Sequence, residues 1–149
     1  MRSLSVTEWR SQLGALRQSS DPVVIQYRHR PAAIMVPVPP KYWEGETSDR
    51  YATAALALRD EHLQAPPLDE PHPWLASARQ MERLSIDDGA RRGSARLFGK
   101  LARNIVVILT FYQYANAVMV PLPTDLPAGV QAQLEAAFSA FVSESLTQE

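Results

Sequence analysis

The chain has 149 residues, of which 46% are hydrophobic and 21% charged, and these proportions are ordinary for a globular protein. It contains no cysteine, which excludes a disulfide framework and a thiolate zinc site and suits a reducing cytosol. The first residues lack the apolar run of a signal peptide, and the longest strongly apolar stretch, 105–109, is too short to cross a bilayer. We therefore expect a soluble, cytoplasmic protein with no membrane partner.

The formal net charge of −1 conceals an alternation along the chain. Residues 1–43 carry +4, residues 44–80 carry −4, residues 81–123 carry +3 and residues 124–149 carry −4. This order predicts two surfaces with different partners, one of which suits a polyanion.

The first segment, 1–43, predicts a strand, a helix and a hairpin. A short strand over about 2–6 leads to Thr7, a candidate N-cap. The helix that follows places three large apolar residues on one face: Trp9, Leu13 and Leu16. Two β-rich runs, 22–27 and 32–38, are separated by a few polar residues, which is typical of a hairpin.

The second segment, 44–80, predicts a helix over 48–64 and then an extended, proline-rich linker over 65–73. The third segment, 81–123, predicts a strand near 83–86, an N-cap at Asp87, a helix and a second hairpin. The helix places Leu97, Phe98 and Leu101 on one face. The last segment, 124–149, predicts an amphipathic helix that ends near Leu146.

The third segment repeats the first. Ile34-Met35-Val36-Pro37-Val38-Pro39 recurs as Val118-Met119-Val120-Pro121-Leu122-Pro123. Two shorter blocks recur in the same order: Val23-Val24-Ile25 as Val106-Val107-Ile108, and Leu4-Ser5-Val6 as Leu84-Ser85-Ile86. We therefore expect an α+β fold made of two β-α-β-β units, each followed by a helix.

A unit of roughly 40 residues is too small to bury a sufficient core alone. The two units are therefore expected to complete each other's core. They could do so within one chain, as a pseudo-dimer with one shared sheet or a barrel-like core, or by exchange between two chains of a homo-oligomer.

The first unit resembles the N-terminal module of the Phd/YefM antitoxin family. The resemblance covers about residues 2–43 and is carried by Leu4-Ser5-Val6-Thr7-Glu8-Trp9-Arg10, Pro22-Val23-Val24-Ile25 and the turn Arg28-His29-Arg30-Pro31 with the strand after it. The second unit matches through Leu84-Ser85-Ile86, Ala90-Arg91-Arg92 and its hairpin, whose turn is Phe111-Tyr112-Gln113-Tyr114.

The resemblance implies a function as well as a fold. Members of this family dimerise through the module, repress their own operator and neutralise a toxin with a C-terminal segment. By this resemblance, two modules on one chain stand in for the dimer. The implied partners are operator DNA and a protein toxin, with no cofactor.

Two sets of candidate site residues follow. Arginine binds phosphate and guanine edges bidentately, so the candidate DNA contacts are Arg10, Arg28, Arg30, Arg91, Arg92 and Arg96. The alternative is an ordinary solvated face. The candidate anchors for a protein partner are Tyr51, Leu56, Leu58, Phe138 and Phe141. The alternative is that their helices cover the core, and for 130–146 we favour that alternative.

Three classes of function remain open at this point. The leading hypothesis is an antitoxin-like, DNA-binding transcriptional repressor. The second is a protein-only adaptor or assembly protein that keeps the fold without binding DNA. An enzyme is not expected, because no two of the three histidines (His29, His62 and His72) are at metal-ligand spacing and no phosphate-binding glycine loop or nucleophile motif is present.

Overall fold

The computed structural model describes residues 1–16, 19–77, 79–91 and 94–147. Within these residues the strands are β1 (Arg2–Ser5), β2 (Val23–Tyr27), β3 (Arg30–Pro37), β4 (Gln80–Ser85), β5 (Ile105–Phe111) and β6 (Tyr114–Pro121). The α-helices are α1 (Val6–Leu16), α2 (Gly45–Glu61), α3 (Ala95–Ala102) and α4 (Ala128–Thr147). Short 3-10 turns cover Pro40–Tyr42 and Pro73–Ala76, and a π-helical turn covers Asp87–Arg91.

The strands form one six-stranded sheet in the order β1-β2-β3-β6-β5-β4. β1 is parallel to β2 and β4 to β5, whereas the pairs β2–β3, β3–β6 and β5–β6 are antiparallel. Read inward from either edge, each unit therefore contributes its first, second and third strand in that order, and the β3–β6 pair lies at the centre. In that pair Met35 lies opposite Met119. The fold is thus a mixed α+β arrangement in which both hairpins share a sheet.

Helices cover both faces of the sheet. Because successive strand residues point to opposite faces, each strand contributes to two cores. Val23, Ile25 and Met35 belong to the core under α1 and α3. Val24, Ile34 and Val36 belong to the core under α2 and α4. Burial on both faces explains why the strands read as continuous apolar runs rather than as alternating ones.

The caps of α1 and of the π-helical turn that precedes α3 differ from the predicted ones. Ser5 Oγ accepts a hydrogen bond from the Glu8 N–H (3.2 Å), and the Glu8 carboxylate accepts one from the Ser5 N–H (3.0 Å). This reciprocal pair is a capping box, and it holds the pKa of Glu8 below its ordinary value. Ser85 Oγ likewise accepts from the Asp88 N–H (3.1 Å). The predicted N-caps Thr7 and Asp87 were therefore wrong by two residues.

The hairpin registers correct the alignment of the two units by one residue. Val23 pairs with Met35, and Val107 pairs with Met119. Val23 therefore corresponds to Val107 rather than to Val106. An irregularity follows Ile25 in the first hairpin and Leu109 in the second, at corresponding positions. The local backbone of the two hairpins is therefore alike even where the side chains differ.

The segment after α2 is folded back on itself, so the predicted extended linker was wrong. The His72 N–H donates to the Leu63 carbonyl (2.8 Å), and the Leu68 N–H donates to the Gln64 carbonyl (3.0 Å). Leu63 is fully buried. A run of prolines restricts the chain without keeping it straight, and here it turns beside the sheet.

A buried arginine holds this segment to the sheet. Arg59 on α2 is 1% exposed and donates to the Asp60 carboxylate (2.7 Å), to Asn104 Oδ1 (2.5 Å) and to the Pro121 carbonyl (3.2 Å). Burial lowers the pKa of Arg59, and the hydrogen bond and charge of Asp60 oppose that shift. A buried cation needs partners of this kind, which here connect α2 to the ends of β5 and β6.

Candidate nucleic-acid interface

The two hairpin tips lie at opposite ends of the sheet. We call residues 27–30 the N-terminal tip and residues 111–114 the C-terminal tip. Ala33, near the N-terminal tip, pairs with Pro121 at the end of β6, and Ala117, near the C-terminal tip, pairs with Pro37 at the end of β3. Because β3 and β6 are antiparallel, the tips point away from each other.

Both tips have the same backbone geometry. Arg28 and His29 have φ angles of 53° and 67°, and Tyr112 and Gln113 have 51° and 72°. Two consecutive residues at positive φ are the feature of the tight turn whose twist matches that of the strands. Non-glycine residues pay a steric cost there. All four residues therefore adopt a backbone conformation with a steric cost, two at each tip and at corresponding positions.

The N-terminal tip is basic. Arg28, His29 and Arg30 are all exposed. The Arg28 guanidinium lies 5.2 Å from the centre of the Tyr27 ring. The Tyr27 ring in turn stacks on Phe98 of α3, with centroids 5.6 Å apart and planes 11° apart. This stack joins the tip to the side of the sheet that α1 and α3 cover.

The C-terminal tip is aromatic and uncharged. Tyr112 is 81% exposed, and its ring contacts that of Phe111 at 4.4 Å. Tyr114 is 43% exposed, and its ring lies 5.9 Å from that of Trp43. The two tips therefore offer different chemistry on the same backbone.

The helices on the same side as the N-terminal tip carry further arginines. Arg10 on α1 and Arg96 on α3 are exposed. Of the other two candidates, Arg92 and the side chain of Arg91 lie outside the described part of the chain. Sequence reasoning missed two further cations of this helix pair, Lys100 and Arg103, which continue the basic stretch toward the end of α3.

Trp9 holds α1 and α3 together. It is fully buried, and its Nε1–H donates to Met35 Sδ at 3.1 Å. The edge of its ring meets Phe98, with centroids 5.8 Å apart. The central strand and both helices therefore contact a single side chain, which fixes the spacing of the exposed faces of α1 and α3.

Several cations of the chain are already committed to ion pairs. Arg79 pairs with Asp60 (2.9 Å), and Arg83 pairs with Asp49 (2.8 Å). Lys100 pairs with Glu82 (2.8 Å), and this bond holds the pKa of Glu82 below its ordinary value. In contrast, within the described residues no carboxylate lies at ion-pair distance from three of the candidates: Arg28, Arg30 and Arg96.

The charge alternation of the sequence becomes a difference between two faces. The side of α1, α3 and the N-terminal tip, which we call the basic face, has Glu8, Asp87 and Asp88 in the first turns of α1 and of the π-helical turn, where acids are favoured, and Glu82 paired with Lys100. The side of α2 and α4, which we call the acidic face, carries Glu46, Asp49, Glu61, Glu135 and Glu144. α4 contains no lysine or arginine.

The five candidate partner anchors pack against the sheet. Tyr51, Leu56 and Phe138 are buried, and Leu58 and Phe141 are half-buried against the same core. The Tyr51 hydroxyl donates to the Pro37 carbonyl (3.0 Å), and burial raises its pKa to about 12. The covering role favoured for residues 130–146 is confirmed. For these side chains to meet a partner, α2 or α4 would have to leave the sheet.

In the part of the chain that the structure describes, no three histidine or acidic side chains are close enough to bind a metal ion together. Nor does any described helix have the length and apolarity needed to span a membrane. Comparisons of the chain with protein families, curated proteins and solved structures find no match.

Proposed function

We propose that this protein is a cytoplasmic, antitoxin-like transcriptional repressor of a type II toxin–antitoxin system, with two Phd/YefM-like units on one chain. The observation that carries the proposal is the N-terminal tip. Arg28 and Arg30 are exposed there, beside the helices of the basic face, and no carboxylate in the described part of the chain lies at ion-pair distance from either. Exposed, unpaired arginines are suited to phosphate and base contacts.

An intrachain pseudo-dimer accounts for the symmetry of the sheet. In a dimer with a twofold axis, each residue on the axis meets its own copy. Here Met35 lies opposite Met119, which is its counterpart in the repeated block Ile34–Pro39. The strand order is likewise the same from both edges. Duplication of one unit, followed by pairing of the copies, is the simplest origin of this arrangement.

The two units would bind DNA unequally. A symmetric repressor dimer places the same side chains on two half-sites. Only the N-terminal tip offers guanidinium groups, because Tyr112, Gln113 and Tyr114 occupy the corresponding positions of the C-terminal tip. We therefore propose an asymmetric operator, in which one half-site is contacted by arginines and the other by aromatic side chains or by the helix alone.

The acidic face is the proposed site for a toxin. Toxins that cleave RNA must themselves attract a polyanion, so an acidic surface is complementary to their active site. Glu46, Asp49 and Glu61 on α2 and Glu144 on α4 are exposed on this face. Binding there would leave the basic face accessible to DNA.

The test is a fluorescence-anisotropy titration of the full chain against DNA from upstream of its own gene and against a scrambled duplex, at two salt concentrations. We expect tighter binding to the upstream DNA and a steep decrease of affinity with salt, because each phosphate contact releases counterions. The pair Arg28→Ala with Arg30→Ala should weaken this binding. Arg50→Ala is the matched control and should not, because Arg50 is an exposed arginine of the acidic face. Equal affinity for both duplexes would contradict the proposal.

The second candidate is a protein-only adaptor or assembly protein. It is favoured by the C-terminal tip, since an aromatic side chain that is 81% exposed, as Tyr112 is, is common in protein interfaces. The same titration separates the candidates. An adaptor would show no preference for the upstream duplex, and its specific partner would then be sought at the C-terminal tip.

A further inference from the structure

A cavity of about 340 Å³ lies between the N-terminal tip, α3 and the 3-10 turn Pro73–Ala76. Its walls are mainly apolar. The rings of Tyr27, Trp74 and Phe98 line it, together with Gly99 and Ala102 of α3 and with Thr124. These residues come from four separate parts of the chain. A concave, mostly apolar site of this size is typical of small-molecule binding.

The walls of this cavity are held independently of any ligand. Phe98 is held by its contacts with Tyr27 and Trp9. The Trp74 N–H donates to His72 Nδ1 (3.1 Å), and the Trp74 carbonyl accepts from Asn104 Nδ2 (3.3 Å). The buried guanidinium of Arg59 lies 5.5 Å from the centre of the Trp74 ring. A site that is already ordered loses little entropy when a ligand binds.

Two cations contact residues that line the cavity. The Arg28 guanidinium lies over the Tyr27 ring, and Arg103 Nε donates to the carbonyl of Gly99 at 3.3 Å. Both contacted residues line the cavity. Asp125, which follows the lining residue Thr124, brings a carboxylate beside the cavity. Its Oδ1 lies 2.9 Å from His72 Nε2, and this contact holds the pKa of Asp125 below its ordinary value. Two arginines against one carboxylate therefore lie beside the lining residues, and this excess of positive charge favours an anion.

We propose that this cavity binds a small organic anion with a planar aromatic body. The rings of Tyr27, Trp74 and Phe98 would contact its flat faces and edges. Arg28 and Arg103 would bind its carboxylate or sulfonate, and the Thr124 hydroxyl could donate a further hydrogen bond. This inference does not depend on DNA or toxin binding, so each can fail without the other.

The test uses 2-naphthoate as the probe and 2-naphthamide as its neutral counterpart, with calorimetry for affinity and amide NMR shifts for location. We expect saturable binding of the naphthoate, binding of the amide at least tenfold weaker, and shifts centred on Ala32, Gly99 and Ala102. The pair Arg28→Met with Arg103→Met should remove the preference for the anion. Absence of saturable binding, equal affinity for the two probes, or shifts centred elsewhere would overturn the proposal.

The matched variants fill one helical glycine at a time. A Cβ added at Gly99 would meet no atom within 4 Å, and Gly99 lines the cavity, so Gly99→Leu adds a side chain at the cavity wall without a clash at its Cβ. Gly14 on α1 has the same freedom, lies outside the cavity and serves as the control. We expect Gly99→Leu to lower the naphthoate affinity at least tenfold and Gly14→Leu to change it less than twofold. Ala102→Leu is a second cavity-filling variant, and circular dichroism checks the fold of each. Unchanged affinity in a folded cavity-filling variant would overturn the proposal.

Discussion

The two halves of the molecule share a backbone but differ in two places, at the hairpin tips and in the core under the helices. At the tips, Arg28, His29 and Arg30 correspond to Tyr112, Gln113 and Tyr114, although both turns have the same pair of positive φ angles. The strands and the irregularity before each turn fix this geometry, so the side chains at the tips are free to differ. Tip chemistry is therefore where the halves can acquire different partners.

The second difference lies in the core. Glu8 and Asp88 occupy corresponding positions, because their N–H groups donate to Ser5 Oγ and Ser85 Oγ. The residue that follows is Trp9 in the first half and Gly89 in the second. A Cβ added at Gly89 would lie 3.0 Å from Leu109 Cδ2, so no large side chain fits there. Trp9 instead extends to Phe98 of the other half. The two corresponding positions are therefore filled by one large residue, Trp9, and one small residue, Gly89, rather than by two residues of equal size.

The largest expected effect comes from breaking this core asymmetry. Trp9→Ala removes a fully buried ring and its contact with Met35, and we expect it to lower the free energy of unfolding by about 3–5 kcal/mol. Gly89→Ala should cost less than about 1 kcal/mol, because the atom it meets is the end of a flexible leucine side chain. Urea unfolding followed by far-UV circular dichroism measures both. Equal losses would contradict the central role given to Trp9.

The next effect separates the two tips. We expect the pair Arg28→Ala with Arg30→Ala to weaken operator binding by about tenfold to a hundredfold, which corresponds to about 1.4–2.8 kcal/mol. It should also reduce the slope of log affinity against log salt by about 1 for each lost phosphate contact. The pair Tyr112→Ala with Tyr114→Ala tests the other tip and should weaken binding less than threefold, because its aromatic contacts carry no charge. Arg50→Ala on the acidic face is the control and should leave the affinity unchanged. A larger loss in the tyrosine pair would move the DNA site to the C-terminal tip.

A transplant sharpens the same comparison. Replacing the C-terminal tip by the N-terminal one, with Tyr112→Arg, Gln113→His and Tyr114→Arg together, keeps the turn geometry and adds two guanidinium groups. We expect about tenfold tighter binding to a duplex that repeats the arginine-contacted half-site, since a second arginine tip could then bind. The thermal midpoint should change little. No gain on that duplex would show that tip chemistry alone does not determine the asymmetry.

The smallest effect tests the shared geometry. His29 and Gln113 occupy corresponding positions at φ angles of 67° and 72°. Glycine adopts such angles without steric cost, so His29→Gly and Gln113→Gly should each stabilise the fold by about 0.5–1 kcal/mol. Chemical denaturation measures the two gains. A gain at one tip only would mean that the turns are held differently.

Local patterns predicted most of the strands. The repeated block Ile34–Pro39 and Val118–Pro123 located β3 and β6, which pair at the centre of the sheet. The cap positions were missed because Thr7 and Asp87 are also good capping residues, and only the hydrogen bonds favour Ser5 and Ser85. The path after α2 was missed because it depends on Arg59, whose partners Asn104 and Pro121 lie far away in the sequence.

The candidate site was predicted in part. The exposed hairpin position of Arg28 and Arg30 follows from turn signals alone. The anchors Tyr51, Leu56 and Phe138 were harder, because an apolar helix face reads the same whether it covers the chain's own sheet or a partner. The cavity had no sequence signal, since it joins Tyr27, Trp74 and Phe98 through tertiary packing.

The most direct test of DNA binding on the basic face is an amide NMR titration of the ¹⁵N-labelled chain with the upstream duplex. We expect the amide chemical shifts of the N-terminal tip, α1 and α3 to change and those of α2 and α4 to remain constant. Shifts confined to α2 and α4, or no shifts with a duplex at saturating concentration, would contradict the account.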